Sequence, residues 1–362
     1  MMDGLRDYIL WLGDYAFSAV PFQEVDAVIL CLLAYCDFAP LFERSGEAML
    51  SDMQRLIDAN DVQILRIGET GPLMRILEAA AQSRRFGTLR MTDYVDIIFP
   101  DGPTQFSALT YHSDADWSFI AYRGTDSSLA GWKEDFMISF KRTQAQELAK
   151  QYAENRIGEG HAWYLGGHSK GGNLALYAGC MLPEPIQACI RRMYLLDGPG
   201  FCPEVIDPQS VGKINRMITR IIPGFCVIGK LFEPRIEDTH IVQSSASGFL
   251  QHDPATWGID HGKLAELEQT DPRSDIINTI LSKWIGDMPC EDREVFVNDV
   301  FNALKAGGVQ TLEELSTHGR KVYEAVSACL KDSSDITKRV LKDLSRQALQ
   351  AISDTVFRWT EN

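Results

Sequence analysis

The sequence predicts an α/β fold in which a mostly parallel sheet carries helices on both faces. Between about residues 94 and 252, short apolar runs alternate with amphipathic segments, and alternating strands and helices favour parallel strand pairing. The segments before and after this region carry helical periodicity. One apolar run leads through a glycine-rich turn into a helical pattern. We therefore expect a sheet domain that is helical at both ends.

Three regions are predicted: a helical N-terminal cap at 1–90, the sheet domain at 91–260 and a helical C-terminal region at 261–362 packed on it. Helices are expected in the cap at 25–35, 48–60 and 72–84, and in the C-terminal region at 275–285, 291–305, 311–330 and 335–359. No strand is expected after Trp257. The last helix sets basic residues beside an apolar stripe, so a membrane-surface or partner-binding face is the alternative to ordinary packing.

The sheet domain contains two strands that are joined by a polar turn, followed by alternating helices and buried strands. In order, the predicted elements are strands at 107–111 and 117–122, a helix at 143–155, a strand at 162–165, a helix at 171–181 and a strand at 193–196.

Composition and charge exclude several classes of protein. The 362 residues include 35 Lys or Arg and 50 Asp or Glu, a net charge of −15, and 45% are hydrophobic. This is typical of globular chains, and the acidic balance disfavours nucleic acid as a partner. The longest apolar run, 27–35, is about half of the roughly 20 residues that span a bilayer. Without a signal-peptide pattern either, a soluble cytoplasmic protein is expected.

Eight cysteines are scattered along the chain, with no C-x-x-C pair and no histidine at zinc-site spacing. We expect buried thiols. Neither a metal nor an organic cofactor is implied.

The motif that carries chemistry is Gly-His-Ser-Lys-Gly at 167–171, a G-x-S-x-G pattern. Its glycines permit a sharp strand-to-helix turn that lifts the Ser169 hydroxyl above the carboxyl edge of the sheet. An apolar strand precedes it and an amphipathic helix follows, as the motif requires. The helix N-terminus favours negative charge, so the N–H of Lys170 is expected to bind an oxyanion. Ser169 is the predicted nucleophile; a phosphate-binding turn, the alternative, lacks its usual motifs.

A second oxyanion donor is expected from the loop after an earlier strand, and Tyr-Arg-Gly-Thr-Asp at 122–126 fits this position. Together, FIAYRGTDSSLAGWKEDF at 119–136 and LGGHSKGGNLALYAG at 165–179 resemble the class-3 (fungal-type) lipases of the α/β-hydrolase superfamily. The resemblance covers about residues 107–252. It is closer still to an uncharacterised bacterial lipase-like family that extends over the N-terminal cap.

The resemblance implies an oxyanion-binding role for Gly124 and Thr125, chiefly through the Thr125 backbone N–H, alongside Lys170. The Lys170 side chain is expected either to face solvent or to place a positive charge near the mouth of the site, where it would favour anionic substrates. Three further side chains are expected to anchor the loop by packing and hydrogen bonding: Trp132, Glu134 and Asp135.

The general base must be a histidine downstream of the serine. His252 is preferred because it follows a strand-to-loop run, because Pro254 keeps the preceding backbone extended, and because the related family resembles this chain there. His240 is the second choice. His261 and His318 lie beyond the strand-like runs.

The acid is less well defined by the sequence. Asp197 ends an apolar strand, so it should lie at the same sheet edge as Ser169. Class-3 lipases take their acid one strand later, where this chain has Cys226. Asp253 adjoins His252, and neighbouring extended residues point apart. Asp197 is the preferred acid, and Glu233, Glu237 and Asp238 remain open.

These residues predict hydrolysis of carboxylic esters through an acyl-serine intermediate. The resemblance implies a small-molecule acyl ester or lipid as substrate, with thioesters and amides still open. Peripheral membrane contact and the oligomeric state stay open. The alternative, motivated by Cys226, is a weak or inactive hydrolase-fold protein that holds a partner through its helical regions.

Overall fold

A computed structural model describes residues 4–43, 45–65, 70–98, 105–125, 133, 137–286, 288–306, 333–339 and 342. The helices precede, connect and follow the strands of a central sheet. They are α1 (Leu5–Leu12), α2 (Glu24–Leu33), α3 (Ala39–Phe42), α4 (Met53–Asp58), α5 (Thr70–Gln82), α6 (Arg84–Gly87), α7 (Gln144–Glu154), α8 (Lys170–Met181), α9 (Glu184–Gln187), α10 (Pro208–Ile214), α11 (Pro272–Gly286) and α12 (Cys290–Ala306).

The strands are β1 (Glu47–Met49), β2 (Arg90–Ile98), β3 (Gln105–His112), β4 (Trp117–Tyr122), β5 (Ala162–His168), β6 (Ile190–Leu196), β7 (Ile218–Pro223), β8 (Thr239–Val242), β9 (Ile259–Asp260), β10 (Lys263–Leu264) and β11 (Glu266–Leu267). A 9-stranded sheet has the order β1-β2-β3-β4-β5-β6-β7-β8-β11, and β9 pairs with β10. Strands β4 to β8 are parallel, whereas the outer pairs are antiparallel. The predicted α/β class is confirmed, and its parallel part is the middle of a mixed sheet.

Helices cover both faces of the parallel strands. Neighbouring residues of β4 point to opposite faces. Phe119 packs in an apolar cluster with α2, and Ile120 packs in another with α7 and α8. Every residue of β4 is buried, as expected for a strand covered on both sides. Residues 25–33 of α2 are likewise all buried, which explains why this segment is apolar on nearly every side.

Most predicted elements are present. The runs at 107–111 and 117–122 form the antiparallel hairpin β3–β4, and the helix expected at 143–155 is α7. Thr143 and Gln146 hydrogen-bond reciprocally at its start, which satisfies N–H groups that the first helical turn leaves unpaired. The predictions at 25–35, 72–84, 162–165, 171–181, 193–196, 275–285 and 291–305 correspond to α2, α5, β5, α8, β6, α11 and α12.

Two expectations are wrong. The helix predicted at 48–60 begins instead as the edge strand β1, which pairs with β2, and only its later part is helical as α4. Strands also continue after Trp257, because β9 and β10 form a ribbon and β11 pairs with β8. Strands of two or three residues show no periodicity of their own. They form only where a partner strand is present: β1 on β2, β11 on β8, and β9 on β10 across the two-residue turn between them.

The predicted helix at 311–330 lies outside the described residues, as does that at 335–359 apart from 335–339 and 342. Within the described part, α12 contributes Phe296, Val297 and Phe301 to an apolar cluster with Tyr177 of α8. The division into three regions stays a prediction. No described helix is long and apolar enough to cross a membrane.

A buried ion pair ties the N-terminal helices together. Arg85 donates to both carboxylate oxygens of Asp26 at 2.8 and 2.6 Å, and both side chains are 0% exposed. Tyr8 donates to the same carboxylate at 3.1 Å, and Arg85 also donates to the carbonyls of Val20 and Pro21. These bonds satisfy charges that would otherwise be costly to bury.

We expect Arg85→Met to lower the free energy of unfolding by about 3–5 kcal/mol, because it leaves the Asp26 carboxylate buried without its cation. Urea denaturation measures the change. The matched control is Arg55→Met, which breaks the exposed pair with Asp52 and should cost no more than about 1 kcal/mol. Equal losses in the two variants would contradict the prediction.

Candidate active site

Ser169 lies at a sharp turn between β5 and α8. Its backbone has φ 57° and ψ −123°, a conformation that residues other than glycine rarely adopt. The Ser169 N–H donates to the Leu196 carbonyl at the end of β6 (2.9 Å), and the residue is 6% exposed. This is the strained strand-to-helix turn that the G-x-S-x-G pattern predicts.

Glycines let this turn press against the end of β4. A Cβ atom at Gly171 would lie 2.1 Å from the Tyr122 carbonyl oxygen. One at Gly167 would lie 2.3 Å from the Gly171 carbonyl carbon. Any larger residue at either position would push α8 away from β4. The glycines of the motif therefore bring the loop after β4 next to Ser169.

An aspartate and a histidine meet at the same edge of the sheet. Asp197 follows β6 directly, is 1% exposed and has a positive φ of 43°. Its Oδ2 lies 2.6 Å from Nδ1 of His252. Because a carboxylate only accepts hydrogen bonds, Nδ1 carries the proton and Nε2 remains the basic nitrogen. Such a histidine can take a proton from a hydroxyl.

The other Asp197 oxygen is held by the segment after β7. Oδ1 accepts hydrogen bonds from the Cys226 thiol at 3.0 Å and from the Gly229 N–H at 3.1 Å. Burial and the neighbouring carboxylate raise the pKa of Cys226 well above its usual value, so the group stays a thiol that donates. Cys226 thus supports the aspartate that follows β6, a role that sequence reasoning missed and no local pattern signals.

His252 ends a short turn that several contacts fix in place. Trp257 donates to the Gln251 carbonyl at 2.8 Å, and the Gln251 side chain accepts from the Phe225 N–H at 2.8 Å. The His252 ring centroid lies 4.5 Å from that of His168, the residue before Ser169. The turn therefore brings the imidazole beside the strand-to-helix turn.

The loop after β4 is anchored by its arginine. Arg123 is 1% exposed and donates to both oxygens of Asp96 on β2, at 2.7 and 2.8 Å. A Cβ atom at Gly124 would lie 2.6 Å from the His168 carbonyl oxygen, so this loop touches the serine turn. Thr125 is 4% exposed. Trp132, Glu134 and Asp135 lie outside the described residues.

Both expectations for the Lys170 side chain are wrong. It neither faces solvent nor adds a charge at the mouth, because it is 1% exposed and its Nζ donates to the Gln105 carbonyl at 3.0 Å. Residues 170–179 of α8 are all buried, so a position that is exposed in a surface helix is buried here. The backbone of Lys170 opens α8 as predicted.

The alternative acids and bases lie elsewhere. His240 bonds to Asp238 and Glu266, Glu233 pairs with Arg220, and Glu237 is exposed. The Asp253 side chain accepts from the Ala255 N–H. His261 is 96% exposed, and His318 lies outside the described residues. Of the acids considered, Asp197 is the one that the structure joins to His252.

The parallel strands, the strained serine turn and the adjoining Asp197–His252 pair define a lipase-like protein of the α/β-hydrolase fold. The chain belongs to the Mbeg1-like family, whose model matches residues 80–302, more than half of its length. No curated protein is significantly similar to it. Among solved structures, the crystal structure of M37 lipase is similar, with 15% sequence identity and a TM-score of 0.38, covering 58% of this chain and 70% of that one.

The strain at Ser169 gives a test based on stability. Ser169→Gly should raise the free energy of unfolding by about 1 kcal/mol relative to Ser169→Ala, because glycine adopts this conformation without the Cβ penalty. Urea denaturation of both variants measures the difference. Gln151 is an exposed position of α7 and serves as the control. There the glycine variant should be less stable than the alanine variant by about 1 kcal/mol, because glycine disfavours the helix. A less stable glycine variant at Ser169 would contradict the interpretation.

Proposed function

We propose that this protein is a serine hydrolase that cleaves carboxylic esters through an acyl-serine intermediate. Ser169 is the nucleophile, His252 the general base and acid, and Asp197 the residue that orients the imidazole. The observation that carries the proposal is the 2.6 Å bond between Asp197 and His252 beside a serine at φ 57°. Strained backbone conformations of this kind concentrate at functional sites.

In the proposed reaction His252 moves the proton. Asp197 holds the proton on Nδ1, so Nε2 accepts the Ser169 proton as Oγ attacks the ester carbonyl. His252 then returns that proton to the leaving alcohol, and the acyl-serine forms. Water attacks this ester by the same route, giving the carboxylic acid and free serine. Asp197 keeps its hydrogen bond to Nδ1 and stabilises the imidazolium.

Backbone N–H donors stabilise the negative charge that develops on the carbonyl oxygen during the reaction. We assign this role to the N–H groups of Thr125 and Lys170, with Gly124 allowing the loop to approach. The contact between Gly171 and the end of β4 supports the assignment, because it brings the Thr125 loop to the start of α8. The dipole of α8 adds favourable electrostatic potential at its N-terminus.

The proposed substrates are small acyl esters or lipids, the class that the lipase-like resemblance implies. Acyl-chain length, head group and the preference among esters, thioesters and amides are separate questions. A panel of p-nitrophenyl esters of graded chain length, with matched thioester and anilide substrates, would define them. The chemistry assigned to Ser169, His252 and Asp197 is common to all three classes.

A fluorophosphonate probe tests the nucleophile. We expect the wild type to become labelled at Ser169, found by peptide mass spectrometry, and Ser169→Ala to remain unlabelled. Ser210 and Ser245 provide controls, because both lie outside the candidate site and are at least partly exposed. A probe that reacts with serines without activation would modify them also. A folded wild type that does not react would overturn the proposal and favour the alternative of a hydrolase-fold protein that binds a partner.

Asp197→Asn is expected to lower kcat by orders of magnitude, up to roughly 10⁴-fold. Cys226 and Gly229 donate to one oxygen of Asp197, so the asparagine should keep its carbonyl oxygen there and turn its NH₂ toward His252. Nδ1 must then accept, which moves the imidazole proton to Nε2 and blocks base catalysis. Rates of p-nitrophenyl ester hydrolysis measure the change. Asp253→Asn, next to His252, should retain near-normal rates, and equal rates for both variants would remove Asp197 from the reaction.

A further inference from the structure

A tyrosine of the N-terminal region reaches the candidate active site. Tyr35 comes two residues after α2 and is 3% exposed. Its hydroxyl lies 2.9 Å from Nδ1 of His168, the residue that precedes Ser169. On the far side of the same ring, Nε2 of His168 lies 2.8 Å from the backbone carbonyl oxygen of His252. One imidazole thus joins Tyr35 to the turn that carries His252.

The partners of this ring define its tautomer. A carbonyl oxygen only accepts hydrogen bonds, so Nε2 of His168 must carry a proton and donate to His252. In the neutral ring Nδ1 then has no proton and accepts from the Tyr35 hydroxyl. The other tautomer would set the Nε2 lone pair against the His252 carbonyl, so the carbonyl selects the tautomer and leaves Nδ1 as an acceptor. The Tyr35 hydroxyl binds that acceptor and so fixes the orientation of the ring that holds the turn.

Tyr35 also touches the loop after β4. A Cβ atom at Gly124 would lie only 2.0 Å from the Tyr35 hydroxyl oxygen, and 2.6 Å from the His168 carbonyl oxygen. Glycine is thus required where the tyrosine, this loop and the serine turn meet. The hydroxyl contacts the proposed oxyanion loop and the residue before the nucleophile directly, and it reaches the turn of the proposed base through the His168 ring.

We propose that Tyr35 and His168 are positioning residues for His252, and that the N-terminal helical region thereby forms part of the active site. The inference rests on the proposed function, because it assigns the pair a role in that reaction. Neither side chain takes part in bond making. They hold the His252 turn, and a small displacement of a reacting group can cost orders of magnitude in rate.

The first test is spectroscopic and needs no activity. In protein labelled with ¹⁵N-histidine, the His168 ring should show a protonated Nε2 and an unprotonated Nδ1, with the signals assigned by their loss in His168→Gln. Tyr35→Phe should shift the Nδ1 signal, because that nitrogen loses its hydrogen-bond donor, while Nε2 stays protonated. A protonated Nδ1 in the wild type, or an unchanged Nδ1 signal in Tyr35→Phe, would overturn the hydrogen-bonded chain.

The second test is kinetic. We expect Tyr35→Phe to lower the rate of fluorophosphonate labelling and kcat for p-nitrophenyl esters by about 10-fold, with KM nearly unchanged, because the pair positions the base and touches no substrate. The matched control is Tyr111→Phe. Tyr111 is equally buried in the same apolar cluster, and in the described part of the chain its hydroxyl has no hydrogen-bond partner. Equal rates for the two variants would overturn the positioning role.

Substitutions at His168 separate positioning from folding. The amide of His168→Gln can still donate to the His252 carbonyl, so this variant should keep more of the rate than His168→Ala at similar thermal stability. Rates that simply follow stability would overturn the inference in favour of a structural role. A wild type that the probe does not label overturns the proposed function and the positioning role together. The tautomer measurement then shows separately whether the hydrogen-bonded chain exists.

Discussion

The buried carboxylate of Asp197 organises this edge of the sheet. A charged group that is 1% exposed must be satisfied by hydrogen bonds, because burying it unpaired costs several kcal/mol. Its bonds come from the segment after β7, through Cys226 and Gly229, and from the turn after β8, through His252. Segments that are distant in sequence are therefore held at one point, and the imidazole acquires a defined tautomer as a result.

Backbone strain collects at the same place. Ser169 and Asp197 both have positive φ angles, and small residues crowd around them. A Cβ atom at Gly198 would lie 2.7 Å from the Ser169 carbonyl oxygen. Conformations of this kind persist only where surrounding packing enforces them, and they concentrate at functional sites. The parallel strands supply that packing, since β5 and β6 end side by side and are covered on both faces.

The fold by itself does not assign a reaction, because one fold can carry many functions. The case for hydrolysis lies in the joint placement of Ser169, His252 and Asp197, together with membership in a lipase-like family. The binding-protein alternative was motivated by Cys226. The structure weakens this argument for a binding protein, because a carboxylate is present one strand earlier, on Asp197. The Cys226 thiol donates a hydrogen bond to it.

Local pattern was sufficient for the alternating elements between residues 107 and 196 and for the serine turn. The glycines around Ser169 and the apolar run of β4 each act over a few residues, so the sequence predicts the turn and the strand. The pairing of β1 with β2, the pairing of β11 with β8 and the burial of Lys170 depend on partners farther along the chain. Their local sequence carries no periodic signal.

The residues around the candidate site divide in the same way. Sequence alone determined that a serine stands between a strand and a helix, and it reduced the base and the acid to a few residues each. Only the tertiary structure decided that Asp197 meets His252, that Cys226 donates to that aspartate, and that Tyr35 reaches His168. These are side-chain contacts between segments up to 133 positions apart, and such contacts arise from how the fold brings the strand ends and the segment after α2 together.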